Sequence, residues 1–139
     1  MNAVDTNVLV YAVDESEAAK QSEAIEVLES LGSQSTRLVL LWQVAVEFLA
    51  CLRRWEAAGR ITREDTLAYK TEFLDSPPIV LPSVATLQTS LDLSGRYSLS
   101  HWDSLLIAAC IESGVDSLYS EDLRPGMTYD SVTVINPFS

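Results

Sequence analysis

An α/β fold with a mostly parallel central sheet is predicted by three observations. Short β-branched runs alternate with longer helical periods along the whole chain. Acidic residues recur where such runs end or where the next helix begins. Helices separate most of the strand candidates, which therefore pair in parallel across right-handed crossovers. The expected architecture is a three-layer α/β/α sandwich, a single domain over residues 1–139.

The elements follow in order. Asn2–Asp5 reads as a short strand and Asn7–Val13 as a short helix. Ser16–Leu31 is a helix: Ala24, Ile25, Leu28 and Leu31 recur at helical spacing opposite Ala19, Glu23, Glu26 and Ser30, and Gly32 is a natural C-cap. The Leu and Val content of Arg37–Leu41 marks a strand, followed by a helix over Gln43–Ala58 that Gly59 closes. Thr62-x-x-Asp65 resembles a capping box and opens a helix to about Asp75, which Pro77-Pro78 ends. Ile79–Leu81 is a short strand, and Val84–Arg96 a helix. Ser100-x-x-Asp103 opens the most apolar helix, Trp102–Glu112, stopped at Gly114. Ser117–Ser120 is a strand, Glu121–Met127 a turn-rich loop, and the alternating β-branched residues of Ser131–Ile135 a last strand.

Composition removes several function classes. A chain of 139 residues that is 47% hydrophobic can bury a sizeable core. It lacks a run of roughly 20 apolar residues and a basic, cleavable leader, so a cytoplasmic protein with no membrane association is expected. Cys51 and Cys110 fall in apolar helices and read as core residues, not as a disulfide or a zinc site. The net charge of −11 argues against non-specific nucleic-acid binding through phosphate neutralisation. The cations cluster unevenly, with Arg53, Arg54, Arg60 and Arg63 in one short stretch and Lys70 nearby. Solvation of a helix surface accounts for such a cluster; contact of Arg53 and Arg54 with RNA phosphate or a protein partner is the sharper alternative. With His101 as the single histidine, a ribonuclease built on a His pair and a multi-histidine zinc site are disfavoured. No Gly-x-Ser-x-Gly, P-loop or Gly-x-Gly-x-x-Gly pattern occurs.

Four acids carry the functional signal. Asp5 ends the first strand and heads a helix, where an Asx turn or N-cap explains it as well as a ligand role does. Glu47 is flanked by Val44, Ala50 and Cys51, so it is expected to be buried and to need an arginine partner, a proton or a metal. Asp103 has the spacing of a helix cap from Ser100. Asp122 follows the Ser117–Ser120 strand, and a solvated turn explains it locally; Glu121 is its neighbour and rival. In a parallel α/β sheet, strand ends and the starts of the following helices share one edge, so all four acids are expected around one cleft. Such a group stays ionised only with cations, and Mg²⁺ or Mn²⁺ suits an all-oxygen donor set. That chemistry fits phosphodiester hydrolysis by metal-activated water.

Asp5-Thr6-Asn7, Glu47 after Gln43, Ser100-x-x-Asp103 and Ser120-Glu121-Asp122 occur in the order found in the PIN-domain family, and over nearly its whole length the chain resembles the VapC-type toxins of type II toxin–antitoxin pairs. The resemblance implies a Mg²⁺- or Mn²⁺-dependent endoribonuclease. Asp5, Glu47, Asp103 and Asp122 would act as catalytic metal ligands, supported by Thr6, Asn7 and Ser120. It also implies an RNA substrate, a homodimer and a cognate antitoxin that blocks the cleft. Two other classes compete. An aspartyl-nucleophile phosphotransferase or phosphatase would use Asp5, but residue seven is Asn where that pattern has a second Asp. A catalytically silent binding module would keep the pocket only to hold a partner, and with all four acids present the sequence gives it no positive support.

Overall fold

The computed structural model describes residues 1–33 and 37–138. In chain order the elements are β1 (Asn2–Val4), α1 (Thr6–Val13), α2 (Ala18–Ser33), β2 (Leu40–Leu41), α3 (Trp42–Ala57), α4 (Arg63–Leu74), β3 (Ile79–Val80), α5 (Ala85–Tyr97), α6 (His101–Ser113), β4 (Ser117–Tyr119), β5 (Thr128–Tyr129) and β6 (Val132–Ile135). This is the expected α/β/α arrangement with a mostly parallel sheet.

The sheet order places the functional edge. β1, β4 and β6 run parallel in the order β1-β4-β6, and β5 closes the edge antiparallel to β6. On the other side, Asn2 bridges Leu38 in parallel, and β2 pairs with β3, which extends the array to β3-β2-β1-β4-β6-β5. The chain steps from β1 to β2 to β3 toward one edge, then returns past β1 to β4. Right-handed crossovers in opposite directions put their helices on opposite faces. Accordingly α1 packs on α2 and α3, and α3 on α4, while α5 packs on α6. The reversal falls between β1 and β4, which makes the crevice at their carboxyl ends the switch point of this sheet.

The core lies between sheet and helices. Val4, Leu118, Val132 and Val134 from the sheet meet Val8, Val44, Phe48, Leu52, Leu93, Leu106 and Ile107, all buried. Cys51 and Cys110 are buried free thiols, as expected. α4 begins with the anticipated capping box, Asp65 amide to Thr62 Oγ1 and Thr62 amide to Asp65 carboxylate. α6 stops where Gly114 adopts φ 77° and its amide bonds back to the Cys110 and Ile111 carbonyls. No helix among the described residues is long and apolar enough to cross a membrane.

Several boundaries differ from the sequence expectation. The strand read over Arg37–Leu41 is reduced to Leu40–Leu41 plus the bridge at Leu38, because it has only a short β3 and the end of β1 to pair with. β5 is a strand that periodicity did not mark: two residues are too few for an alternation, and the β5–β6 ladder forms around a turn whose Asp130 takes φ 53°. Glu47 is exposed, not buried. α3 contributes Val44, Ala45, Phe48, Cys51 and Leu52 to the core and leaves Trp42, Val46, Glu47 and Ala50 toward solvent. An apolar sequence all round the helix therefore does not mean burial all round.

Gly114→Ala should lower stability by about 1 kcal/mol, since a left-handed residue with a Cβ is strained. Leu118→Ala, in the central strand, should cost about 3 kcal/mol. Chemical denaturation of the two variants measures both, and a larger loss at Gly114 than at Leu118 would contradict this assignment of the core.

Candidate functional site

Asp5 follows directly on β1, and its extended backbone starts α1 as the N-cap. Its amide bonds to the Tyr119 carbonyl of β4 at 2.8 Å, so the residue is fixed at the switch point by the sheet itself. The residue is 8% exposed. Oδ1 accepts the Thr6 amide at 2.7 Å and Oδ2 accepts Ser120 Oγ at 2.7 Å. Burial pushes its pKa up to about 6; the Ser120 and Thr6 hydrogen bonds oppose this, and the Asp122 and Glu47 charges add to it. The cap and the crevice carboxylate are thus one residue performing both roles.

Ser120, fully buried after β4, donates to Asp5 and accepts the Asp122 amide at 3.2 Å. Asn7 on the first turn of α1 stands between the acids. Its Nδ2 lies 3.4 Å from Asp5 Oδ2, 3.4 Å from Ser120 Oγ and 3.2 Å from Asp122 Oδ2. Its Oδ1 accepts the Glu121 amide at 3.3 Å. Asn7 therefore presents two amide hydrogens where two like charges would otherwise face each other directly.

Glu47 reaches this group from α3. Thr6 Oγ1 donates to Glu47 Oε2 at 3.0 Å, and Gln43 Nε2, one turn earlier, donates to Oε1 at 2.9 Å. Gln43 also bonds the Trp102 carbonyl at 3.2 Å and so ties α3 to the start of α6 beside Asp103. Asp103 sits half-buried in that first turn. Ser100 accepts the Asp103 amide at 3.2 Å, without the reciprocal bond of a capping box, so the cap does not account for the Asp103 carboxylate. Asp5, Asp122 and Glu47 are thus joined through Thr6, Asn7 and Ser120; Asp103 follows Trp102, whose carbonyl Gln43 bonds. Among the described residues no three His, Cys, Asp or Glu side chains are gathered at metal-ligand distance.

Glu121 is engaged elsewhere. It forms an ion pair with Lys20, and Tyr11 Oη donates to Oε2 at 2.7 Å. The Lys20 ammonium and Tyr11 hydroxyl hold the Glu121 carboxyl below its ordinary range. Of the two adjacent acids, Asp122 is the one beside Asn7. His101 is exposed and sets its ring edge-on to Trp102, as a solvated first-turn residue does.

Sequence reasoning missed Gln43 as a Glu47 partner, and it missed Lys20 and Tyr11. The i, i+4 spacing of Gln43 to Glu47 and of Asn7 to Tyr11 was a usable signal, since residues four apart share a helix face. The sequence also gave no indication of the groove beside the site. Trp42, Val46, Leu81, Val84, Leu87 and Trp102 line an open apolar groove of about 1040 Å³ with Glu47 at its margin. Arg53 and Arg54 lie further along α3, exposed. Their neighbours in the basic cluster are in ion pairs: Arg60 with Asp14, Arg63 with Glu56 and Lys70 with Asp75.

No curated protein matches the chain in sequence. Its fold is similar to that of the Mycobacterium tuberculosis toxin VapC20, described as cleaving the sarcin–ricin loop, with a TM-score of 0.66 at 15% identity over 88% of this chain and 90% of that one. It is similar to a toxin–antitoxin complex from Klebsiella pneumoniae, with a TM-score of 0.65 at 17% identity over 99% and 98% of the two chains. It is also similar to VapBC2 from Rickettsia felis bound to a promoter DNA fragment, with a TM-score of 0.69 at 14% identity over 96% of each chain. At such identities the likeness is one of fold, and VapC toxins share it. The PIN domain model matches residues 3–126, a span that contains every acid of the crevice and most of the sheet around it, and the chain therefore belongs to the PIN-domain family.

Proposed function

We propose that the protein is a Mg²⁺- or Mn²⁺-dependent endoribonuclease, the toxin of a VapBC-type pair acting in the cytoplasm. The observation that carries this reading is Asp5: a carboxylate buried at the switch point, braced by Ser120 and linked through Asn7 to Asp122. A binding module has no use for a desolvated acid whose proton affinity is raised at that place. Perturbed acids in a crevice are the usual mark of a functional centre. That the similar structures include an RNA-cleaving toxin and antitoxin complexes supports the same assignment.

In this reading Asp5, Glu47, Asp103 and Asp122 hold the metal. Its hard oxygen donors suit Mg²⁺ or Mn²⁺, which are held by a few carboxylates and keep several waters. Asp122 is assigned in preference to Glu121, whose carboxylate is occupied by Lys20 and Tyr11. When bound, such an ion lowers the pKa of water and neutralises charge on a phosphodiester. The protein's own groups prepare the place: Ser120 and the Thr6 amide orient Asp5, Thr6 Oγ1 and Gln43 orient Glu47, and Asn7 spaces Asp5 from Asp122. An aspartyl nucleophile is less well served, because Asn7 stands where that pattern has a second Asp.

RNA is the substrate in this reading, and a cognate antitoxin and a second copy of the chain are the partners. Arg53 and Arg54, exposed beyond Glu47 on α3, would meet RNA phosphate or the antitoxin. The apolar groove beside Glu47 offers surface for association.

Asp5→Asn should lower metal-dependent RNA cleavage more than about 100-fold, in a gel assay with Mn²⁺. The same variant should be more stable than the parent. Folding raises the Asp5 pKa from 3.8 to about 6, so between those values the native state binds more protons than the unfolded chain. Stability contributed by this group is then present below about pH 4 and lost as pH rises through about 6, on the order of 2–3 kcal/mol. In metal-free buffer at pH 7.5 to 8 (roughly two units above that pKa) the Asn variant should melt higher; a lower melting temperature with normal cleavage would return Asp5 to a purely structural role. Arg53→Ala/Arg54→Ala should raise KM for RNA with kcat unchanged, or weaken antitoxin binding; a variant unaltered in both would remove these residues from the interface.

A further inference from the structure

α1 grips two successive residues of the segment after β4. Asn7 contacts Asp122, and Tyr11, one turn along the same face, contacts Glu121. Lys20, from the start of α2, completes the second contact: its ammonium pairs with Glu121, lies 3.1 Å from Tyr11 Oη and stands 4.7 Å above the Tyr11 ring. Tyr11 is itself set by an edge-on contact with Phe138 at 5.0 Å. Glu121 and Asp122 are consecutive, so holding Glu121 against α1 and α2 restrains the backbone that carries Asp122 and keeps its carboxylate within reach of Asn7.

Ser120 is anchored by its amide to the Ile135 carbonyl and by its hydroxyl to Asp5, and Leu123 is buried; the two acids between them are held more loosely. The Glu121 and Asp122 amides bond to side chains, Asn7 Oδ1 and Ser120 Oγ, not to a strand. Asp122 also carries the same charge as Asp5 and Glu47, which favours its movement away from them. We propose that Lys20 and Tyr11 are positioning residues for the site, acting through Glu121 to hold the 120–122 segment so that the Asp122 carboxylate stays beside Asn7 and Asp5. The value of this for catalysis rests on the nuclease reading; the hold on the segment does not. The rival account is a half-exposed surface ion pair, which would contribute almost nothing.

Lys20→Met, Tyr11→Phe and Lys20→Arg separate the two. Amide hydrogen exchange on the metal-free protein should show Glu121 and Asp122 exchanging at least about 10-fold faster in Lys20→Met and Tyr11→Phe, with β4 and α6 amides unchanged. Calorimetric titration with Mn²⁺ alone should show affinity reduced by about 10-fold in the same two variants, the usual effect of losing an outer support. Lys20→Arg should restore both. Unchanged exchange at Glu121 and Asp122 would overturn the proposal, and so would faster exchange with parental Mn²⁺ affinity. A parent that binds Mn²⁺ but leaves RNA intact would defeat the nuclease reading while the positioning role is still read from the isotherms.

Discussion

A carboxylate removed from water has to be satisfied by whatever the fold places next to it, and at Asp5 that requirement joins parts of the chain far apart in sequence. The Asp5 amide is fixed to β4, while its two oxygens take a backbone donor from α1 and a hydroxyl from the residue that follows β4. Ser120 then turns the following residues by accepting the Asp122 amide. One buried acid thereby sets the separation of β1 and β4 at their carboxyl ends, the direction in which α1 leaves, and the course of the segment that carries Asp122. Replacing the charge would ease the fold, which is the ordinary tension between stability and a polar site.

The same crevice shows how an acidic protein keeps like charges close. Neutral donors stand between the acids: Asn7 between Asp5 and Asp122, Thr6 and Gln43 on Glu47. Hydrogen bonds to a charged acceptor are among the stronger ones, and they leave oxygen lone pairs available for a cation. Lys20, the cation nearest this network in its bonding, is paired with Glu121 against α1 and α2. The acids that face the crevice are left for something from outside. In the proposed nuclease reading, approach of an RNA backbone to a chain of net charge −11 would depend on cations in the crevice and on local groups such as Arg53 and Arg54.

Much of this was legible before any coordinates. The strand–Asp–helix opening placed Asp5 at a strand end, the alternation of elements gave parallel pairing, and Ser100, Thr62 and Gly114 marked helix ends correctly. Glu47 was judged buried because its neighbours in sequence are apolar; α3 instead turns Trp42, Val46 and Glu47 outward onto a groove. Hydrophobic periodicity reports which residues avoid water on average, and it cannot distinguish a core from an open apolar surface. The choice between Glu121 and Asp122 was likewise undecidable, since it turns on Lys20, about a hundred residues away in sequence.

What the sequence determined by itself was local: helix starts and stops, the period of each element, that Asp5 and Asp122 follow strands and that Asp103 falls in a first turn; Glu47, expected in a first turn as well, lies in the second turn of α3. These depend on backbone dihedrals and on neighbours within one turn, which a short stretch of chain specifies. Tertiary structure decided the rest. It made β1 and β4 adjacent, so that Ser120 meets Asp5; it tied Glu47 to Thr6; and it drew Glu121 to Lys20 and left Asp122 beside Asn7. Each of these is a contact between segments whose separation along the chain carries no information about their distance in space, and only the packing of helices on both faces of the sheet fixes it.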